Sequence, residues 1–340
     1  MRLKKIQASL TVEILLIDNP VDLYYLTGLD LSKGRLAIGK KEAYLFVDGR
    51  YFEMAKKKAP CPVILTEAGA LEEKLKPFRQ IGFDSAFVSV DGYQALQKEL
   101  LHKNWQAIAS PLRDFRVIKE EAEIAKLRRA ADVTWKGYKH AASCLKEGIT
   151  ETEIAWEFER FCREHGASEL SFSSIIAFVE NGAYPHYRAG NVKLKKDMAV
   201  LIDVGAVVDH YAGDLTRVVF FGKPDPEIEK MYRWVQSAQK KAVDAVKPGI
   251  PIGDLDWMVR EIFKKEGVDS FFTHNLGHGI GLETHEYPRI RHQTSDGGCI
   301  LKPNMVFTIE PGLYRPGIGG VRYEDMVVVT ETGVENLYPC

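Results

Sequence analysis

Short apolar runs and charged, helix-favouring stretches alternate along the amino-terminal part of the chain, and the texture changes after Pro111-Leu-Arg-Asp-Phe115. The runs Ile14–Ile17, Arg35–Ile38, Ala43–Val47, Val63–Thr66, Ile81–Phe83 and Phe87–Val90 read as strands, punctuated by Gly34, Gly39, Asp48-Gly49 and Gly82. Tyr51–Lys58 and Leu71–Gln80 read as the helices between them. Strands alternating with helices predict an α/β domain, here residues 1–117, followed by a larger second domain over 118–340.

In that second part, Ile124, Leu127, Ala131, Trp135 and Tyr138 recur at spacings of three and four, predicting one long amphipathic helix over Lys119–Leu145. Gly148 closes it, and Thr150 with Glu153 forms a capping box for a second helix that reaches His165. Two more helices are predicted over Pro226–Val246 and Ile252–Glu266. Ala199–Gly205 and Thr216–Gly222 are strand-like runs flanking a polar Asp209–Asp214 turn, which predicts a hairpin. Met305–Glu310 and Val321–Thr330 are strand-like as well. Strands segregated from helices predict an α+β domain with an antiparallel sheet. The similar order of strands and helices in its two halves hints at an internal duplication.

Composition narrows the function. With 340 residues, 45% hydrophobic and 27% charged, the chain reads as an ordinary globular protein of two domains. Lys+Arg 46 against Asp+Glu 47 leaves a net charge of -1, so no basic surplus exists to grip a phosphate backbone, and nucleic acid is not an expected partner. The basic start Met1-Arg-Leu-Lys-Lys5 and the apolar run Ile14–Ile17 are too short for a secretory signal, and no run approaches the ~20 apolar residues of a membrane span. Cys61, Cys144, Cys162, Cys299 and Cys340 are scattered, with no C-x-x-C pair. That pattern fits a reducing compartment, and the cytoplasm is the expected location.

The most informative positions are acidic residues embedded in apolar strands. Asp203 lies in Ala199-Val-Leu-Ile-Asp-Val-Gly205, and Asp214 sits on the returning arm of the predicted hairpin. Glu310 in Val306-Phe-Thr-Ile-Glu-Pro-Gly312 and Glu324 in Val321-Arg-Tyr-Glu-Asp-Met-Val327 repeat the pattern. His278 adds an imidazole between glycines in Leu276-Gly-His-Gly-Ile-Gly281. Any one of them alone is an ordinary turn, salt-bridge or structural residue. Together they point to metal, because a buried carboxylate must be paired, hydrogen-bonded or bound to a cation, and clustered carboxylates repel unless cations lie among them. A donor set of one imidazole and four carboxylates is hard and oxygen-rich, which selects Mn²⁺ ahead of Co²⁺, Zn²⁺ or Fe²⁺. Two such ions make water a nucleophile near neutral pH, and the expected chemistry is hydrolysis.

At these residues the sequence resembles the pita-bread (creatinase/aminopeptidase-like) metallopeptidases, and within them the Xaa-Pro peptidases. Asp203-Val-Gly-Ala with Asp214-Leu-Thr-Arg, Gly277-His-Gly-Ile-Gly-Leu-Glu-Thr-His-Glu286, Ile309-Glu-Pro-Gly-Leu-Tyr314 and Val321-Arg-Tyr-Glu-Asp325 match the metal motifs in order and spacing. Asn19-Pro-Val-Asp-Leu-Tyr-Tyr-Leu-Thr-Gly28 and Val47-Asp-Gly-Arg-Tyr51 are similar to the family's amino-terminal domain, and Phe115-Arg-Val-Ile-Lys119 with Glu123-Ile124 to its linker. The resemblance implies an α+β carboxy-terminal pita-bread domain with a smaller amino-terminal α/β creatinase-like domain. It also implies two divalent metal ions held by Asp203, Asp214, His278, Glu310 and Glu324. His186 in Ala183-Tyr-Pro-His186 then resembles the histidine that steadies the tetrahedral intermediate, His285 the one near the scissile carbonyl, and Glu310 the proton shuttle. Arg289 and Arg291 are candidates for pairing with a substrate carboxylate, and Arg322 for orienting Glu324. Val218, Asn304 and Tyr323 depart from the usual pattern without removing a ligand.

The implied substrates are short proline-containing peptides, cut before proline by a homodimeric enzyme. A prolidase acting on dipeptides is the first expectation and aminopeptidase P the alternative. Methionine aminopeptidases normally lack the extra amino-terminal domain. Metal-free creatine hydrolases and histone- or nucleic-acid-binding members are the rivals of another class, opposed here by the complete ligand set.

Overall fold

The computed structural model describes residues 2–339, so Met1 and the cysteine at 340 lie outside the described residues. The chain divides into two compact units, one ending at Asp114 and the other beginning at Phe115. The segment after Phe115 is tied into the second unit, where Ile118 bridges Met305 and the Lys119 amide donates to the Asn304 carbonyl at 2.9 Å.

The first unit is built on a six-stranded mixed sheet in the order Val63–Leu65, Ala43–Val47, Arg35–Gly39, Ile14–Ile17, Gln80–Asp84, Asn104–Ile108. Ile14–Ile17 is buried at every position because it is central, antiparallel to Arg35–Gly39 and parallel to Gln80–Asp84. A strand covered on both faces needs a continuous apolar run, which is why it was legible. Phe87–Val90, expected as a strand, is instead a turn leading into the helix Val90–Glu99, capped by the Ser89 hydroxyl, which accepts from the Gly92 amide. Phe87 and Val90 are exposed, so that apolar pair buries nothing. The edge position belongs to Asn104–Ile108, whose alternation is too shallow to stand out. The helix expected over Leu71–Gln80 runs only from Ala70 to Leu75, since Pro77 disfavours helical backbone before it and Gln80 opens a strand.

The second unit carries four long helices: α1 (Glu121–Ser143), α2 (Glu151–Glu164), α3 (Pro226–Ala245) and α4 (Gly253–Lys265). Its main strands are β1 (Ile175–Phe178), β2 (Met198–Val204), β3 (Leu215–Phe221), β4 (Gly277–Gly279), β5 (Glu286–Ile290), β6 (Val306–Ile309), β7 (Gly312–Arg315), β8 (Gly319–Arg322), β9 (Asp325–Val329) and β10 (Val334–Asn336). One antiparallel sheet has the order β3-β2-β1, a second the order β5-β4-β6-β9-β10, and β7 with β8 forms a separate ribbon. The expected hairpin is the β2–β3 pair, with Asp203 opposite Thr216 and Val204 opposite Leu215.

Alternation along these strands decides where the core lies. Ile176, Phe178, Val200 and Ile202 pack with Ala130 of α1 and Phe158 of α2. Their neighbours Ile175, Ala177, Ala199 and Leu201 face the opposite way, into a cluster shared with Phe307, Ile309 and Val327 of the second sheet and Val235 and Leu255 of α3 and α4. Asp203 has the parity of Ala199 and Leu201 and lies across from Ile175. It is therefore presented where the inner face of the first sheet runs out toward the second.

Val321–Thr330 is not one strand. It breaks at Tyr323-Glu324, with β8 pairing to β7 before the break and β9 pairing to β6 after it. At the break the Glu324 amide donates to the Thr216 carbonyl at 3.1 Å, so the chain steps between sheets at a residue expected to bind metal.

Candidate metal centre

Five separate segments deliver the five expected ligands: the end of β2 (Asp203), the start of β3 (Asp214), β4 (His278), the end of β6 (Glu310) and the β8–β9 step (Glu324). Ligand atoms of Asp214, His278 and Glu324 lie within 4.8 Å of one another. His278 Nε2 is 3.7 Å from Asp214 Oδ2 and 3.4 Å from Glu310 Oε1. Asp203, Asp214, His278 and Glu324 are all buried.

The fit to divalent cations rests on three observations. First, one guanidinium faces four carboxylates: Arg322 donates from Nη2 to Asp203 Oδ2 and from Nε to Thr216 Oγ1 at 3.1 Å. Burial and mutual repulsion push Glu324 up to about 8, and push Asp214 and Glu310 above the usual carboxylate range. Such a cluster costs several kcal/mol to ionise unless positive charge is added. Second, Asp203 Oδ1 is buried and has no hydrogen-bond partner among the described residues, so Arg322 satisfies one oxygen and leaves the lone pairs of the other for a cation. Third, His278 Nδ1 lies 3.1 Å from the Gly279 carbonyl, which fixes the N–H there and turns the Nε2 lone pair toward the carboxylates. Burial, helped by His285, pushes His278 down to about 3, so it stays neutral and ligand-competent at neutral pH.

The supporting residues were mostly invisible in the sequence. Thr216 donates from its hydroxyl to Glu324 Oε2 at 2.6 Å. Tyr338 donates to the Asp214 carbonyl at 2.7 Å. Arg217, ion-paired to Asp325, also donates to the Glu324 carbonyl at 2.6 Å and so fixes the backbone of that ligand. His274 ends a directed chain behind the site. Arg322 donates to Tyr314 Oη at 2.6 Å, and Tyr314 lies 2.8 Å from His274 Nε2. Because His274 Nδ1 contacts the Asn275 carbonyl at 2.7 Å, that nitrogen carries the proton and Nε2 accepts from Tyr314. Burial and the Arg322 charge hold His274 down near 3, consistent with a neutral ring.

Of the remaining expected residues, His285 stands beside the cluster, its ring 4.2 Å from that of His278. Burial and the nearby His186 lower it. His186 itself is exposed, on a segment anchored by Glu151. That fully buried carboxylate accepts from the Phe178 and Gly190 amides, Asn181 Nδ2 and Tyr187 Oη at 2.8–3.0 Å. Arg289 lies on β5 opposite His278 and is exposed. Arg291, also exposed, directs Nη1 at Asn275 Oδ1 at 3.4 Å. Glu286, next to His285, is held to about 2, because Lys119 and Arg116 outweigh the burial that would raise it. These two ion pairs tie the segment before α1 to the His285 loop.

Gly277 sets the spacing of β4 against β6. A Cβ there would lie 2.0 Å from the Thr308 carbonyl oxygen, a backbone atom that cannot swing aside. Gly277→Ala is therefore expected to destabilise the protein by about 1–3 kcal/mol and to displace His278, read as a lower denaturant midpoint with weaker metal retention.

Comparison with known proteins follows these motifs. Residues 125–331 match metallopeptidase family M24, and residues 1–118 match the creatinase/prolidase N-terminal domain. The chain is 35% identical to the Xaa-Pro dipeptidase of Pyrococcus furiosus, over 99% of this chain and 96% of that one. The crystal structure of the prolidase from Pyrococcus horikoshii superimposes with a TM-score of 0.94 at 34% identity, covering 99% of this chain and 97% of that one. The X-Pro aminopeptidase of Thermotoga maritima superimposes at 0.91 with 29% identity, covering 99% and 98%.

Proposed function

The chain belongs to metallopeptidase family M24 and carries a creatinase/prolidase N-terminal domain, and from that premise we propose that it hydrolyses the peptide bond before proline in Xaa-Pro dipeptides. The observation that carries this reading is the convergence of Asp203, Asp214, His278, Glu310 and Glu324 on one buried spot with a single guanidinium among them. In the proposed reaction these five residues hold two divalent cations, Mn²⁺ by the oxygen-rich donor set, with Co²⁺, Zn²⁺ or Fe²⁺ compatible. Bound there, the ions would lower the pKa of a water and polarise the scissile carbonyl.

The chain's own groups do the rest. Glu310, whose carboxyl is raised by burial and by Glu324, accepts the proton of the attacking water and returns it to the proline nitrogen as that secondary amine leaves. His285, beside His278, donates toward the scissile carbonyl region. His186, on its Glu151-anchored segment, steadies the tetrahedral intermediate. Arg289 and Arg291 pair with the substrate carboxylate, a contact that favours a substrate ending at proline. Thr216, Arg217 and Arg322 keep the ligands in place. The reading also includes residence in the cytoplasm, consistent with unpaired Cys61, Cys144, Cys162 and Cys299, and a homodimer, which sedimentation of the metal-loaded protein would check.

The structural likeness to an X-Pro aminopeptidase makes release of the first residue from longer peptides the second reading. A chain-length series separates them. Ala-Pro is expected to be cleaved at least tenfold more efficiently than Ala-Pro-Ala or longer peptides, compared as kcat/KM with Mn²⁺ restored after chelation. Cleavage of the longer peptides alone would replace the dipeptidase assignment, and no cleavage of either with any of the four metals would remove both.

A further inference from the structure

A second group of metal-binding side chains lies where the end of α1 meets α2, built from residues with no part in the reaction above. His140 lies in the last turn of α1, Cys144 is the residue that caps the helix, and Glu157 faces them from α2. Both partners approach the same ring nitrogen: His140 Nε2 is 3.0 Å from Glu157 Oε2 and 3.8 Å from Cys144 Sγ. The three donor atoms lie within 4.8 Å of one another, and all three residues are half-buried.

The spacing suits a small tetrahedral ion. Zinc–nitrogen and zinc–oxygen bonds of about 2.0–2.2 Å, and zinc–sulfur bonds of about 2.3 Å, put tetrahedrally arranged N and O donors about 3.4 Å apart and N and S donors about 3.6 Å apart. The observed 3.0 and 3.8 Å bracket those edges. The imidazole is also oriented in advance, stacked on Phe161 with ring centroids 5.0 Å apart and an interplanar angle of 22°. Phe161 is itself stacked on His165 at 3.9 Å.

We propose that His140, Cys144 and Glu157 form a third cation site, selective for a borderline-soft divalent ion of the zinc type and separate from the oxygen-rich centre. One nitrogen, one thiolate and one carboxylate leave a fourth position for water, the open arrangement of a three-ligand zinc site. Donor softness divides the two kinds of site: thiolate and imidazole favour Zn²⁺ or Co²⁺, whereas the four-carboxylate cluster suits Mn²⁺. Occupancy replaces the His140–Glu157 hydrogen bond and competes with Arg160, which donates to the same Glu157 oxygen at 2.6 Å. Binding deprotonates Cys144 and releases that proton, so affinity rises with pH. The ion would pin the end of α1 to α2. This inference concerns a surface remote in the chain from the five ligands and does not rest on the peptidase reading.

Cobalt supplies a readout blind to the other centre, because only a thiolate ligand gives an intense near-ultraviolet sulfur-to-Co²⁺ charge-transfer band, and none of the five central ligands contains sulfur. Titrating Mn²⁺-loaded full-length protein with Co²⁺ is expected to develop this band at about one equivalent. Cys144→Ser should abolish it, while His140→Ala and Glu157→Gln should each weaken Co²⁺ binding by at least tenfold. Zn²⁺ should bleach the band stoichiometrically. No band in the wild type, or a band that survives both His140→Ala and Glu157→Gln with unchanged affinity, would overturn the site, the latter by reducing it to a lone reactive thiol.

Discussion

Glu310→Gln is expected to lower kcat by about 10²–10⁴-fold with little change in KM and no loss of fold. The substitution keeps the size of the side chain but removes both its ability to carry a proton and its negative charge toward the cations, so turnover is compared at saturating metal. Glu310 sits 3.4 Å from His278 Nε2, and its carboxyl is already raised by burial and by Glu324. A carboxyl raised above its ordinary range binds a proton more readily than a free carboxylate, which suits it to take one from water and hand it to a departing nitrogen. Because glutamine also relieves repulsion within the cluster, the metal-free variant should be at least as stable as wild type. Steady-state kinetics with metals restored, alongside chemical denaturation of the chelated proteins, give both halves of the result. Near-normal turnover would remove Glu310 from the role of proton shuttle.

The second large effect is on the pH dependence of stability in chelated protein. Glu324 has its carboxyl pushed up to about 8 from 4.5, by burial first and the charge of Asp203 second, and Asp214 and Glu310 are raised as well, by burial first and the charge of Glu324 second. Between 4.5 and 8 the folded chain therefore holds protons that the unfolded chain has released, and folding stability falls as pH rises. Buried His274 and His278, both lowered to about 3, act in the opposite sense below 6.5, where only the unfolded chain binds their protons. The decline should thus be cleanest from pH 6.5 to 8. At about 1.4 kcal/mol per tenfold in the proton equilibrium, Glu324 alone would account for roughly 2 kcal/mol across that window. Divalent metal should flatten the slope by holding the carboxylates ionised in the fold, and Glu324→Gln should lessen it without metal. A denaturant midpoint of the chelated wild type that is level from pH 6.5 to 8 would mean that neither burial nor neighbouring charge holds protons on these carboxyls.

How much of this was legible in the sequence follows from what each residue faces. The candidate ligands stood out because charge inside an apolar strand violates the alternation that buries the strand: Asp203 continues the inward face of Ala199 and Leu201. The long helix over Glu121–Ser143 was equally plain, since Ile124, Leu127, Ala131, Trp135 and Tyr138 all meet one apolar cluster. The residues behind the site were not readable. Tyr314, His274 and Thr216 are ordinary strand or loop residues in sequence, and only the pairing of β7 with β8 and the contact of Glu324 with β3 bring them to Arg322. Thr216-Arg217, two polar residues entering an apolar run, was the one available signal. Where the sheet edge was misread, at Phe87–Val90, local apolar content pointed to a strand that tertiary pairing assigned to Asn104–Ile108.

The step at Tyr323-Glu324 has a consequence for the order of assembly. Because that residue leaves one sheet and enters another beside Thr216, a chain with only one of its sheets formed possesses no complete pocket for an ion. Metal uptake is then expected to follow the docking of the two sheets, with capture of the cation a check on finished folding rather than a seed for it.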